Sequence, residues 1–403
     1  MSDWLTSLRN EGARHFERYG LPGRDVEEWK YTPVTALPQA SVKRPAAAGN
    51  EDPGLVADLT IYMSDGYLVN AGGSRSEGVK ILSLEQALEA GTEGLRTLLE
   101  SLDISQRWQS LSALNAAGLG PGLVIHVADG VDAGRIAVTW NGSAEGRLAQ
   151  TRVCILLGDG ARLNLAEIFT GDGWTLNGVW QAQVGGGARL EHVRVTRAQA
   201  GVTLLSRVEA RLEAGARYDA TILDLGDGLT RHDVRPALVG PGASCRLDGA
   251  IVTGPQSHAD HHFEADHQAS GCQSEQFWRA VASGQGKAVF NGRVHIAPGA
   301  DDSESQQSSA GLLMSKQAEI DAKPELEIYA DEVVASHGAT VGQLDEQALF
   351  YLQTRGIERG EARRILTLAF CRPVSDRIED ARWREKLGQW LAARMEQSGI
   401  GHE

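Results

Sequence analysis

Residues 258–267 read HADHHFEADH, a dense run of side chains that could bind a metal. If the segment is a strand, its side chains alternate. His258, Asp260, His262 and Glu264 then share one face, and His261 lies on the other. Two imidazoles and two carboxylates suit a divalent ion. The same residues also make an exposed polar ladder across neighbouring strands, which needs no metal and is the simpler expectation. A second candidate is His337, in Ser336-His337-Gly338. It follows residues 325–333, where Leu326, Ile328 and Ala330 alternate with Glu325, Glu327 and Tyr329, the pattern of a half-buried strand. Ser-His-Gly after such a strand reads as a turn, and a turn histidine commonly does no more than cap a strand end. Cys154, Cys245, Cys272 and Cys371 have no metal-ligand or CxxC spacing. They are expected to be small buried residues in a reducing compartment. Gly286-Lys287-Ala288 is not a phosphate-binding loop, because Val281 and Ala288 stand where glycine and Ser/Thr are required.

The elements that must hold these residues change character along the chain. The chain has 403 residues, is 42% hydrophobic and 23% charged, and has a net charge of −14. That length can bury a large core, and that charge argues against a nucleic-acid or anionic-membrane surface. No basic-then-apolar leader and no apolar run of about 18 residues is read, so the cytoplasm is expected. Residues 1–110 are expected to form a mixed or helical N-terminal region. A helix begins at Ser2 or Asp3, a Pro/Ala-rich linker covers 36–53, strand pieces flank Asp65-Gly66, and one or two helices lie in 82–102.

From Gly122 short strands dominate. Gly134, Gly160, Gly187, Gly215 and Gly242 each precede a small residue or Arg and then an alternating strand, at steps of 26, 27, 28 and 27 residues. That period marks a solenoid whose corners need glycine, with a β-sandwich as the alternative. The core is assigned to 111–342, with a polar loop at 301–309. Residues 343–403 carry three apolar-striped helices at 345–353, 361–371 and 381–397.

Residues 323–342, KPELEIYADEVVASHGATVG, together with LFYLQTRGI at 349–357 and EEWKYT at 27–32, closely resemble signatures of the SufB/SufD family of Fe–S cluster assembly scaffold proteins. Ser-His-Gly in place of Glu-His-Glu resembles the SufD branch. The resemblance implies a mainly β fold with flanking α, a right-handed parallel β-helix core between N-terminal and C-terminal helical regions. It implies a non-catalytic subunit of a SufBCD complex that supports iron acquisition and nascent cluster formation at the interface with a SufB-like subunit. ATP hydrolysis would come from a SufC-like ABC ATPase docked on the C-terminal helices through Leu349, Phe350, Leu352, Arg355, Gly356 and Ile365. A homodimer is implied when the SufB-like partner is missing. His337 matches the family's functional histidine, and a neutral imidazole is a sound iron ligand. The family's cysteine two residues earlier is Ala335 here, so thiolate chemistry is absent from that position. No tightly bound cofactor is expected, only a transient cluster or iron at the interface. Flavin binding is left open. The competing reading is a carbohydrate-active or metal-binding β-helix using Asp260, Glu264 and Asp266, which would need a carboxylate pair with split roles.

Overall fold

The computed structural model describes residues 3–39, 53–74, 76–142 and 147–398. Most of the expected linker, residues 40–52, lies outside them. Helix α1 (Asp3–Tyr19) precedes a hairpin of β1 (Leu59–Ser64) and β2 (Tyr67–Gly73), then β3 (Val79–Ser83). The hairpin turns at Asp65-Gly66, both at positive φ (48° and 85°), as a tight two-residue loop requires. Short helices α2 (Leu84–Glu89), α3 (Leu95–Glu100) and α4 (Ser110–Ala117) follow.

The chain then coils between two sheets. One contains β4 (Gly122–Val127), β6 (Leu148–Leu157), β8 (Thr175–Val184), β10 (Thr203–Leu212), β12 (Leu229–Leu238), β14 (His258–His267), β16 (Lys287–Ile296) and β18 (Glu319–Ile328). The other contains β5 (Asp132–Asn141), β7 (Arg162–Phe169), β9 (Arg189–Thr196), β11 (Arg217–Asp224), β13 (Ser244–Thr253), β15 (Gln273–Ala282), β17 (Ser303–Leu313) and β19 (Val333–Gly342). From β6 to β17, every strand pairs in parallel with the strand one coil before and after it, as β10 does with β8 and β12. This is a parallel β-solenoid, not a sandwich, and it stands between helical flanks as expected.

The corners explain the repeat. Gly160, Gly187, Gly215 and Gly242 all hold φ near +65° to +70°, a region that side chains with a Cβ avoid. The residue after each, Ala161, Ala188, Ala216 and Ala243, is fully buried, and Cys272 continues this column after Gly271. Inside, Leu, Val and Ala side chains of the two sheets interdigitate around Trp140, Phe169, Trp180, Trp278 and Phe290. The lumen also holds charge. Glu167 accepts hydrogen bonds from the Trp140 and Trp180 indoles at 2.9 Å and lies 3.2 Å from Arg194.

The sequence reading is overturned in two places. Residues 301–309 are not a loop: Ser303–Leu313 is β17. Its inward Ser305 bonds to Ser274 (2.9 Å) and Gln307 to Gln276 (3.2 Å), so the polar side chains satisfy one another within the coil. Within 271–292 the chain turns at Gly284-Gln285, between β15 and β16. Ser336-His337-Gly338 lies within β19, and the chain turns at 329–332 instead.

After β19 come α5 (Glu346–Thr354), α6 (Arg359–Asp376) and α7 (Ala381–Gln397). Asp345 and Asp380 cap α5 and α7 through their side chains. Cys371, Val374, Trp383, Leu387, Leu391 and Met395 cover the outer face of the second sheet, against Ala166, Val193, Leu223 and Val252.

Candidate functional site at the open end of the solenoid

The two ends of the coil are finished differently. At the first end, β3 lies antiparallel on β4, and β2 lies antiparallel on β1, which itself joins β5. Antiparallel strands therefore close both sheets there. At the other end, β18 and β19 are the last strands of their sheets, and no described segment caps them.

His337 sits on that end. Register places it in the inward-facing column Leu247, Gln276, Gln307, His337. The first three are buried, and His337 is exposed because no further coil covers it. Ile320 and Leu326 of β18 and Val333 of β19 are the half-buried last layer of the core. Around them Tyr329 (61% exposed), Val334 (69%), Ile328 and Val341 face solvent. Pro324 on β18 lacks an N–H, which is tolerated on an edge strand, and this signal could have marked the edge from sequence. Ala335, beside His337, carries no thiol. All four cysteines are buried, and burial pushes the thiols of Cys154 and Cys371 up to about 12.

The helical candidates divide by exposure. Phe350 (68% exposed) and Arg355 face solvent; Gly356, at φ 84°, ends the helix and is also exposed. Leu352 and Ile365 are half-buried, and Leu349 is fully buried within the chain. Tyr351 is exposed beside Phe350 and adds a second aromatic to this surface.

The His258–His267 string is β14, and its outer face is not an exposed ladder. The segment carrying EEWKYT packs over it. Trp29 stacks under Arg231 at 3.8 Å, and Thr32 donates to Asp260 at 2.6 Å and lies 3.0 Å from His258. Asp260 is 3.1 Å from Arg231 and 3.0 Å from His262. Glu264 is drawn away from this group by Arg235 (2.7 Å) and Arg293 (2.6 Å), and Asp266 faces His295 at 2.6 Å. The structure thus brings His258, Asp260 and His262 together with an arginine among them, and leaves Glu264 apart. His261 points the other way, into the lumen.

Comparisons with known proteins agree with this geometry. The family described as SUF system FeS cluster assembly, SufBD core domain, matches residues 139–370. The Escherichia coli (strain K12) iron-sulfur cluster assembly protein SufD is 31% identical over 399 residues, covering 94% of this chain and 90% of that protein. Protein ABCI7, chloroplastic, of Arabidopsis thaliana is 26% identical over 407 residues, covering 95% and 84%. An iron-sulfur cluster assembly SufBD family protein of Synechocystis is 27% identical over 259 residues, covering 61% and 57%. With the core matched and the similarity running nearly end to end, the chain belongs to the SufB/SufD family, in its SufD branch.

Proposed function

We propose that this chain is a non-catalytic scaffold subunit of a SufBCD-type complex that assembles iron–sulfur clusters. The observation that carries the reading is the uncapped last coil. It offers two free strand edges, a half-buried apolar layer and an exposed imidazole in one place. Strand addition by a second solenoid would satisfy the backbone groups and cover the layer. A SufB-like subunit is the fitting partner, because its own solenoid would end in the same way. His337 then lies inside the junction and serves as a transient ligand to iron or to the nascent cluster, with thiolates supplied by the partner since Ala335 has none. A second copy of this chain takes the same place when the SufB-like subunit is missing. The exposed aromatics of α5, with Arg355, are the docking surface for a SufC-like ATPase, which supplies the ATP hydrolysis. Cytoplasmic location follows from this reading; among the described residues, no helix is long and apolar enough to cross a membrane.

Co-expression with SufB-like and SufC-like proteins and capture on an N-terminal tag tests it. Both partners should be recovered. Phe350→Ala with Tyr351→Ala should lose the ATPase, and His337→Ala should keep all partners but lower the iron and sulfide found on the complex. Folded protein that captures neither partner overturns the reading.

A further inference from the structure

Inside the solenoid, away from the open end, Asp224, His232 and His261 meet. Asp224 is the last residue of β11, and the two histidines are register partners on the neighbouring strands β12 and β14 of the facing sheet. All three are buried, and one donor atom from each lies within 4.8 Å of the others. His261 Nε2 is 2.7 Å from Asp224 Oδ2, and His232 Nε2 is 3.6 Å from Asp224 Oδ1. The two imidazole rings stand 5.6 Å apart at 83°.

The second observation concerns atoms without partners. His232 Nδ1 lies 2.8 Å from the Ser206 hydroxyl, which donates to the Arg231 carbonyl at 3.2 Å. Where Ser206 gives its proton to that carbonyl, His232 Nδ1–H donates to Ser206 and Nε2 keeps a lone pair aimed at a carboxylate oxygen. Asp224 Oδ1 and His232 Nε2 both lack a hydrogen bond. Two buried lone pairs facing each other at 3.6 Å are unfavourable unless a proton or a metal ion stands between them. Arg194 does not fill that role: its charge is matched by Glu167 at 3.2 Å, and its Nη1 reaches Ser206 at 3.4 Å.

We propose that Asp224, His232 and His261 form a buried binding site for a divalent first-row transition ion. Two imidazoles and one carboxylate on one side of an ion, with positions left open, are a ligand set that such ions accept. The separations of the donors are near those of neighbouring ligands about 2.0–2.2 Å from one ion. Ser206 holds His232 in the ligating tautomer, the outer-shell arrangement that imidazole ligands commonly use. With an ion on Nε2, the neutral His261 ring carries its proton on Nδ1, which is buried without another partner. A small cavity with Asp224, Gly226, Gly228, Thr230 and Thr253 in its wall borders the site. The ligands come from three strands in two sheets, so the site is rigid before the ion arrives. It is separate from the junction at His337 and does not depend on the assembly reading.

The test uses the full chain, stripped with chelator and titrated with Co2+, read by visible absorption and by calorimetry. One Co2+ per chain is expected, displaced by Zn2+. Asp224→Asn and His261→Gln should abolish the band. Ser206→Ala, which removes no ligand, should weaken binding by about 10–100-fold. His262→Gln should leave it unchanged. If the ligand variants fail to fold, the Ser206→Ala and His262→Gln pair still decides. No Co2+ uptake by the wild type, or a band indifferent to Ser206→Ala, overturns the proposal.

Discussion

At the residue scale, burial decides what a titratable group in this solenoid can do. His267, the last residue of β14, is buried with Nε2 2.8 Å from the Ser274 hydroxyl. Burial pulls its pKa down to about 4, with His295 adding to the effect and Asp266 opposing it. An unfolded histidine titrates near 6.5. Above pH 6.5 both states are neutral and the group has no effect on the balance. As pH falls from 6.5 to about 4 the unfolded chain takes up the proton and the folded chain does not, so stability is lost across that window, by up to about 3 kcal/mol. Urea unfolding at pH 7 and pH 4.5 should therefore show a smaller acid loss for His267→Gln than for the wild type. Equal losses would mean that His267 is protonated in the fold. In the sequence His267 was one of several histidines in a polar run. Alternation separated His261 from its neighbours, but nothing local told that the outer face would be covered by Trp29 and Thr32, more than 200 residues earlier in the chain. Nor could the spacing show that Asp224 would meet His261, since that contact is made across the lumen.

At the scale of elements, what was legible was what repeats or caps. The corner glycines were legible because positive φ at a fixed period admits little else. The C-terminal helices were legible because their apolar stripes and the capping residues Asp345 and Asp380 are local. Strand β17 was not, because its inward face is serine and glutamine. Binary pattern reads such a segment as solvent-facing, while the hydrogen bonds that permit it come from the adjacent coil. The stripes also left open whether the helices bury their apolar face on the core or on a partner, and the structure splits them. Trp383 of α7 is fully buried and donates its indole N–H to the Val56 carbonyl at 2.8 Å. Phe350 of α5 faces solvent. Trp383→Ala should cost about 3–5 kcal/mol in urea unfolding, and Phe350→Ala should change stability by less than about 0.5 kcal/mol. A large stability loss from Phe350→Ala would remove α5 as a free docking surface.

At the scale of the whole molecule, the asymmetry between the ends of the coil is the argument. A parallel solenoid has a problem at each end, because the last coil exposes core side chains and unpaired backbone groups. This chain solves it at one end with the antiparallel strands β2 and β3 and leaves the other to Ile320, Leu326, Val333, Ala335, His337 and Val341. An end left open by the described residues leaves strand edges and a half-buried apolar layer to pair, and an identical end is always at hand. The purified chain without partners should therefore self-associate, with a dimer that dissociates on dilution. Val341 faces inward on β19 and is 45% exposed. Val341→Lys puts a charge on that face, a device by which edge strands avoid pairing. The variant should run as a monomer in size-exclusion chromatography with light scattering, keep its unfolding midpoint at low protein concentration, and fail to capture a SufB-like partner while still capturing the ATPase through α5. Loss of the ATPase together with the SufB-like partner would show that the two surfaces are not independent. A dimer that survives the lysine would place the self-association elsewhere on the molecule, and the open end would then need another explanation than pairing.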